Sequence, residues 1–356
     1  MRFDTSLLPS RLRVDALALG AVLALAACDD DSGTGPTPPA ATSEITVDAS
    51  QAPAYVRLDN TATAVSVADP STSSAWDLSF FATGVTVNGG AAGPGGTVAY
   101  CLCANENATD AAVMAMTPEN QLAAFESVEA TDIPAESAFE ADVLNPAISG
   151  WYSGTPGGAV TAVPSRSWIL RKGTTSALLG KFRVTGISGA TATHPGSVTF
   201  EYAIQPSAGA PFGATQTETV DVSTGPVYFD LATGSVSTAA SWDVQFSGYD
   251  IRLNGGVSGS GSVSAVVDEQ MPFGQITAQY AGFVPPQAFR ADAFGGVFAS
   301  SPWYRYNITG TDNQIWPTFN VYLVKRGDEV FKVQLTGYYS ETGTPRQITI
   351  RSARLQ

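Results

Sequence analysis

Apolar and polar residues alternate along short stretches of this chain, and glycine or proline interrupts them every few residues. Tyr55-Val56-Arg57-Leu58, Trp76 to Phe80, Val85-Thr86-Val87, Ser197 to Tyr202 and Val227 to Leu231 read as half-buried strands. So do Trp242 to Phe246, Val321 to Val324, Val330 to Leu335 and Gln347 to Ile350. With 35 Gly and 22 Pro as punctuation, the pattern predicts a turn-rich, all-β, largely antiparallel protein with very little helix. Only Thr117-Pro118-Glu119 reads as a helix start, with Thr at the N-cap and Pro at N1, leading into one or two turns over Gln121 to Phe125.

The strand pattern occurs twice. Trp76-Asp77-Leu78-Ser79-Phe80 runs on to Asn88-Gly89-Gly90, and Trp242-Asp243-Val244-Gln245-Phe246 runs on to Asn254-Gly255-Gly256, with Asn 12 residues after Trp in both. A Gly-rich loop follows each, at Gly93-Pro94-Gly95-Gly96 and Gly259-Ser260-Gly261. Trp76, Leu78 and Phe80 fall on one face at period two, as do Trp242, Val244 and Phe246, and should form a core face. The Asn-Gly pairs predict tight hairpin turns, because both residues tolerate positive φ. Later segments match too: Phe139-Glu140-Ala141-Asp142 with Phe289-Arg290-Ala291-Asp292, Trp151-Tyr152 with Trp303-Tyr304, Leu170 to Gly173 with Val324 to Gly327, and Lys181 to Gly186 with Lys332 to Gly337. The last two pairs read as hairpins turning at Gly173 and Gly327. The chain is a tandem duplication with copies at 46–206 and 214–356, joined by the Pro/Ala/Gly-rich stretch 205–213, and copy one carries an insertion within 97–120.

The N-terminus changes this picture. Arg2, Arg11 and Arg13 precede the apolar run Ala16 to Ala27, which ends in Leu25-Ala26-Ala27-Cys28, so residues 1–28 read as a secretory signal with a lipobox and Cys28 as the lipidated residue. The run is too short for a comfortable transmembrane helix, which leaves the lipid as the only membrane attachment. Residues 29–45, rich in Asp, Gly, Pro, Ser and Thr, read as a flexible tether. Removing 1–28 leaves 15 basic against 30 acidic residues, and an acidic chain without a basic stripe argues against nucleic acid and anionic lipid as partners. Cys101 and Cys103 are too few for a disulfide scaffold, and a bond between residues two apart is expected to be strained.

The repeated signature, followed by a Tyr-x-(Leu/Val)-(Lys/Arg)-x-Gly hairpin and a Lys-(Val/Phe)-x-(Leu/Val)-Thr-Gly strand, resembles the HmuY family of haem-binding lipoproteins. The second copy matches better, at Tyr249 to Gly256, Tyr322 to Gly327 and Phe331 to Tyr339. The resemblance implies two tandem β-sandwich-like modules in the cell envelope, at the outer membrane or cell surface. It also implies non-catalytic haem capture for uptake, with haem or a haemoprotein as partner and an outer-membrane haem receptor downstream. In that family two side chains, a His pair or sometimes Met, grip the haem. This chain has one His, His194, in a turn (Thr193-His194-Pro195-Gly196), so a His pair within one chain is impossible. Met271 lies where the family places its first ligand, and a thioether is an accepted axial ligand. Tyr304 and Tyr306 lie in the region of the second, and Met114, Met116, Cys101 and Cys103 offer soft donors in copy one's insertion. Each also has a plain reading as packing: Met fills cores, and aromatic residues beside Trp303 pack.

No Ser-His-Asp set is available, and the Gly-rich loops lack the Lys-Ser/Thr and following helix of a phosphate cradle, so an enzyme is not expected. The alternative to a haem carrier is a non-catalytic surface β-protein that binds a protein, glycan or other ligand on a scaffold whose haem ligation has been lost.

Overall fold

The structure, a computed structural model, describes residues 42–356. The signal segment, Cys28 and most of the tether lie outside the described residues. The first strand starts at Ser43, so the last residues read as tether belong to a sheet.

The fold is all-β, built from antiparallel strands in two sandwich-like bodies. In the first, a five-stranded sheet runs in the order Ser43–Asp48, Pro345–Arg354, Glu329–Tyr339, Val321–Arg326, Thr97–Cys101. It faces a four-stranded sheet of Ala62–Val65, Ala54–Leu58, Leu78–Phe81 and Gly84–Val87. Val56, Leu78 and Phe80 of the small sheet share one core with Val324, Phe331, Leu335 and Ile350 of the large one. In the second body the five-stranded sheet is Gln216–Asp221, Ser197–Ile204, Leu178–Ser188, Ser167–Lys172, Val263–Asp268. Its partner is Ser235–Val236, Val227–Asp230, Val244–Ser247 and Asp250–Leu253, and Phe182, Phe200, Phe229 and Phe246 fill the space between.

These bodies cut across the sequence copies. The first joins the front half of copy one to the back half of copy two, and is called here the terminal body. The second, the central body, joins the back half of copy one to the front half of copy two. The chain leaves the terminal body through Val143–Asn145 and returns through Ala293–Gly295, and these two segments pair antiparallel with Leu144 opposite Phe294. Leu144 and Phe294 occupy equivalent positions in the two copies, so the ribbon carries a local pseudo-twofold. A Cβ on Gly295 would sit 2.1 Å from Asn145 Nδ2, and one on Gly296 would sit 2.1 Å from Asp142 Oδ1, so glycine is required where the strands cross. The stretch 205–213 is accordingly a loop between neighbouring strands of one sheet, Ser197–Ile204 and Gln216–Asp221.

The exchange explains the Asp of the repeated Trp-Asp pair. Asp77 and Asp243 are each 1% exposed. Asp77 Oδ2 accepts from the Leu58 N–H (2.7 Å) and from Arg326 Nη1 (2.5 Å), and Asp243 accepts from the Leu231 N–H (3.1 Å) and Lys172 Nζ (2.9 Å). Arg326 and Lys172 are equivalent positions, each supplied by the opposite copy. Two further lysines repeat the arrangement. Lys332 of copy two donates to the carbonyls of Phe125 and Val128 (both 2.9 Å), and Lys181 of copy one to that of Phe273 (2.9 Å).

Several expectations need correction. Asn88-Gly89 and Asn254-Gly255 are not hairpin turns; those turns fall earlier, at Ala82-Thr83 and Gly248-Tyr249, where Ala82 and Gly248 carry the positive φ. Asn88 instead donates from Nδ2 to Trp76 O (2.9 Å) and accepts at Oδ1 from the Gly95 N–H (3.0 Å), tying the Gly-rich loop to the Trp strand. Asn254 does the same with Trp242 O (2.8 Å) and the Gly261 N–H (2.9 Å). A side chain on Gly95 would strike Asn88, which is why the loop is glycine-rich. The Trp-strand cores are buried as read, but Asp77, Ser79, Asp243 and Gln245 on the alternate face are buried too. Helix is less scarce than one start implies. Leu122–Glu126 forms near the predicted place with Gln121 at its N-cap, and Asp110–Met114, Ala278–Gly282 and Val297–Ser300 are additional short helices. Thr109 and Thr277 cap two of them, a signal that their non-periodic followers concealed.

Removing the cation from a buried carboxylate is costly because the charge stays desolvated. Arg326→Met should therefore destabilise the chain by about 3 kcal/mol, read as a lowered urea midpoint with unchanged slope. Lys172→Met should cost less, because the Lys172 side chain is 36% exposed and Arg326 only 14%, leaving solvent to screen the weaker pair.

Candidate functional site

Because the halves are exchanged, segments that follow one another in a copy end up in different bodies. Tyr304 and Tyr306 lie on the strand Tyr304–Tyr306, which pairs with Ile315–Pro317 on the terminal body. Tyr304 is half-buried, its ring 5.2 Å from that of Trp303 and its hydroxyl 3.3 Å from Thr83 Oγ1. Tyr306 is exposed and donates to Asn313 Oδ1 (2.8 Å). The neighbour of this hairpin is copy one's insertion. Arg305 Nη1 pairs with Asp110 (2.7 Å), and Nη2 donates to the carbonyls of Ala108 (2.6 Å) and Glu106 (3.1 Å). Met114, at the end of the helix Asp110–Met114, is exposed, and Met116 just beyond it is half-buried. The structure thus brings the insertion that carries Met114 and Met116 beside the hairpin that carries Tyr304 and Tyr306.

Met271 is placed in the central body. It packs with Val266, Tyr280 and Val284 against Ile169, Ile276, Ala281 and Phe289, whereas Tyr304 packs on the terminal body's core. The backbone around Met271 is fixed by Asp268, whose Oδ1 accepts the N–H groups of Gln270 (2.9 Å) and Met271 (3.1 Å). A cleft of about 360 Å³ opens beside this cluster, walled by Ile169, Val266, Val267, Tyr280 and Val284 with Asp268 and Glu269 at its polar side. Val267 and Phe283 stand exposed nearby at 44% and 77%.

A haem requires apolar walls and a donor to its iron. Ile169, Val266, Val267 and Val284 meet the first requirement on one side, whereas Asp268, Glu269 and Gln270 make the other side polar, and the one soft donor nearby, Met271, packs in the adjoining cluster without lining the cleft. Tyr280 is a neutral phenol here: its hydrogen bond to Asp268 and then its burial raise its pKa, which disfavours the phenolate that would bind ferric iron. Among the described residues no three His, Cys, Asp or Glu side chains gather as a metal site. His194 is in the expected turn, half-buried, with Nδ1 accepting the Gly196 N–H (3.1 Å). Cys101 and Cys103 form a disulfide, with their Cα atoms 5.0 Å apart, inside the usual range for a bridge. The reach is made possible by Cys103, whose φ of 51° folds the chain back on itself. In this state neither sulfur is a thiolate available to iron or a soft metal.

Sequence reading missed Tyr280 and took Asp268, with Glu269, for an ordinary loop charge, whereas Asp268 is buried at the end of the strand Val263–Asp268. It also missed the buried carboxylates that flank the crossing ribbon. Asp142 and Asp292 are 3% and 2% exposed and occupy equivalent positions. Asp292 accepts two N–H groups, from Leu253 (2.9 Å) and from Ala147 of the other copy (2.8 Å). Asp142 accepts only the Val87 N–H (2.9 Å), and its Oδ1 lies against Gly296. Burial raises both pKa values, and that of Asp142 is pushed up to about 7. The repeated Phe-x-Ala-Asp tetrapeptide was the available signal.

No protein-family profile matches the chain, and no curated protein matches it. Solved structures similar to it include a candidate lipoprotein of Bacteroides fragilis NCTC 9343, at 17% identity and TM-score 0.17, covering 44% of this chain and 88% of that one. A candidate HmuY-like haem-binding protein of Bacteroides vulgatus ATCC 8482 is also 17% identical, with TM-score 0.16, covering 45% of this chain and 92% of that one. The apo HmuY analog of Tannerella forsythia is 14% identical, with TM-score 0.15, covering 39% and 83%. At these scores the likenesses carry no assignment of ligand or mechanism.

Asp142 has a measurable consequence. Its pKa is higher folded than its ordinary value of 3.8, so between about pH 4 and pH 7 the folded chain binds more protons than the unfolded one, and stability falls as pH rises through that window. The loss attributable to Asp142 is at most about 4 kcal/mol. Asp142→Asn should flatten this part of the stability–pH profile, measured as urea midpoints from pH 4 to pH 8.

Proposed function

We propose that this chain is a non-catalytic cell-envelope lipoprotein, anchored through Cys28, that binds haem or a related porphyrin for uptake at the Met271 cleft of the central body. The observation that carries the reading is a soft thioether, half-buried in the cluster that adjoins a cleft with one apolar wall, with the aromatic ring of Tyr280 and exposed apolar side chains at Val267 and Phe283. The HmuY-like sequence signature supports it independently. Met271 would be the residue to hold the iron of a bound haem, and Ile169, Val266 and Val284 would keep water from it. Tyr304, Tyr306, Met114 and Met116, grouped on the terminal body, are a second set of candidates for the same chemistry. A haemoprotein donor and an outer-membrane haem receptor complete the proposed path, and the acidic surface keeps the protein off nucleic acid.

The second reading is a surface-binding β-protein that has kept the scaffold and lost haem ligation. It is favoured by the Met271 cleft offering a single soft donor while the nearest phenol is held neutral.

Titration of residues 29–356 with haem, followed by absorbance in both oxidation states, separates the two. A saturable Soret shift at about one haem per chain, abolished or displaced in Met271→Ala, is expected. An unchanged spectrum in Met271→Ala removes Met271 as ligand, and no shift at micromolar haem leaves the surface-binding reading.

A further inference from the structure

The insertion is the largest departure from the internal symmetry, and it is tied down at its base by a disulfide that does little for the fold as a whole. A bond between Cys101 and Cys103 closes a loop of only three residues, so it removes almost no conformational freedom from the unfolded chain. Its effect is local. Cys101 ends the edge strand Thr97–Cys101, held opposite Tyr322, and the Leu102 N–H still bonds to Val321 O (3.0 Å). At Cys103 the backbone turns into the left-handed region, at φ 51°, which costs a side-chain-bearing residue energy unless something holds it there.

From that turn the insertion runs as a strap over copy two. The Asn105 N–H donates to Asn320 Oδ1 and Asn105 Nδ2 to Thr318 O, both at 2.9 Å. Arg305, on the hairpin beneath, holds Asp110 and the carbonyls of Glu106 and Ala108. These contacts are polar and mostly near the surface, while the buried Val113 and the bond from Arg351 Nη2 to Pro118 O (3.1 Å) hold the strap from its inner side. The equivalent hairpin of the central body, Tyr152–Gly154 with Val160–Ala162, has no counterpart of the strap, because copy two lacks the insertion.

We propose that the Cys101–Cys103 disulfide is a redox-sensitive latch that sets the direction of the strap at 104–121 and keeps it closed over the hairpin at 304–317. Reduction breaks the Sγ–Sγ bond. Two electrons and two protons come from a dithiol reductant, which is itself oxidised to a disulfide, and Cys101 and Cys103 become thiols. Cys103 is then free to leave the left-handed conformation, the strap loses its aim, and the contacts of Asn105 and Arg305 loosen. Both cysteines are half-buried, within reach of a small dithiol.

The test is hydrogen exchange of the full chain followed by mass spectrometry, with and without dithiothreitol. Reduction is expected to speed exchange at 102–121 and 304–317 by about tenfold or more, and to leave 152–162 unchanged. Cys103→Ser in oxidising buffer should reproduce this pattern. Arg305→Ala, with the disulfide intact, should loosen the strap by removing its far contacts and so reports that the strap's opening is visible. The latch is overturned if reduction leaves 102–121 and 304–317 unchanged while Arg305→Ala loosens them. It is equally overturned if reduction speeds exchange throughout Glu329–Tyr339 and Pro345–Arg354, because the bond would then serve the whole sheet.

Discussion

Two buried carboxylates organise this molecule. Asp77 and Asp243 lie under the repeated tryptophans, almost without solvent, and each is neutralised by a cation from the other copy, Arg326 and Lys172. A carboxylate in such a place needs its charge matched and its remaining lone pairs filled, and the Leu58 and Leu231 N–H groups do the second. The front half of each copy therefore depends on the back half of the other. The buried lysines act in the same sense, since Lys332 and Lys181 hold the carbonyls of the opposite copy's connecting segments. Copy one adds a cation of its own at Asp77, since Arg57 Nη1 lies 3.6 Å from Asp77 Oδ1, but the shorter contact comes from Arg326 of the other copy.

The crossing ribbon is where this dependence passes through covalent chain. It is only three residues wide on each side, and glycine at 295 and 296 lets the two passes approach closely. Sequence divergence has broken the symmetry there. Asp292 finds an N–H from Ala147 where Asp142 meets Gly296, so one carboxylate is well satisfied and the other is pushed toward neutrality at physiological pH. The same divergence put the strap on one body only. The two bodies are thus unlike, one covered at its hairpin and one with an open cleft near Met271.

That asymmetry bears on function. The two sets of soft or phenolic donors read from the sequence are separated by the exchange, with Met271 on the central body and Tyr304 and Tyr306 on the terminal one beside Met114 and Met116. A ligand held at Met271 would meet Tyr280 and Val284, residues near it in sequence, and not the tyrosines some thirty positions downstream that the order of the motif suggests. The proposed haem site accordingly has a single soft donor beside a cleft with one apolar and one polar wall, unlike the paired grip that the family resemblance implies.

The all-β class, the short strands and the burial of Trp76, Leu78 and Phe80 were legible in the residues, because strand periodicity and glycine punctuation are local signals. The later matches, from Phe139 to Asp142 and from Lys181 to Gly186, were visible for the same reason. The role of Asn88 was not, since Asn-Gly has a local turn preference that a long-range hydrogen bond to Gly95 overrides. The Cys101–Cys103 bond depended on one positive φ, which no neighbouring residue announces. Which half of each copy closes on which could be read only from the tertiary structure. Both copies present the same strands, the same buried Asp and a basic residue at the same position, Arg326 or Lys172, so local sequence is compatible with either pairing, and the choice falls to the path of three residues at 143–145 and 293–295.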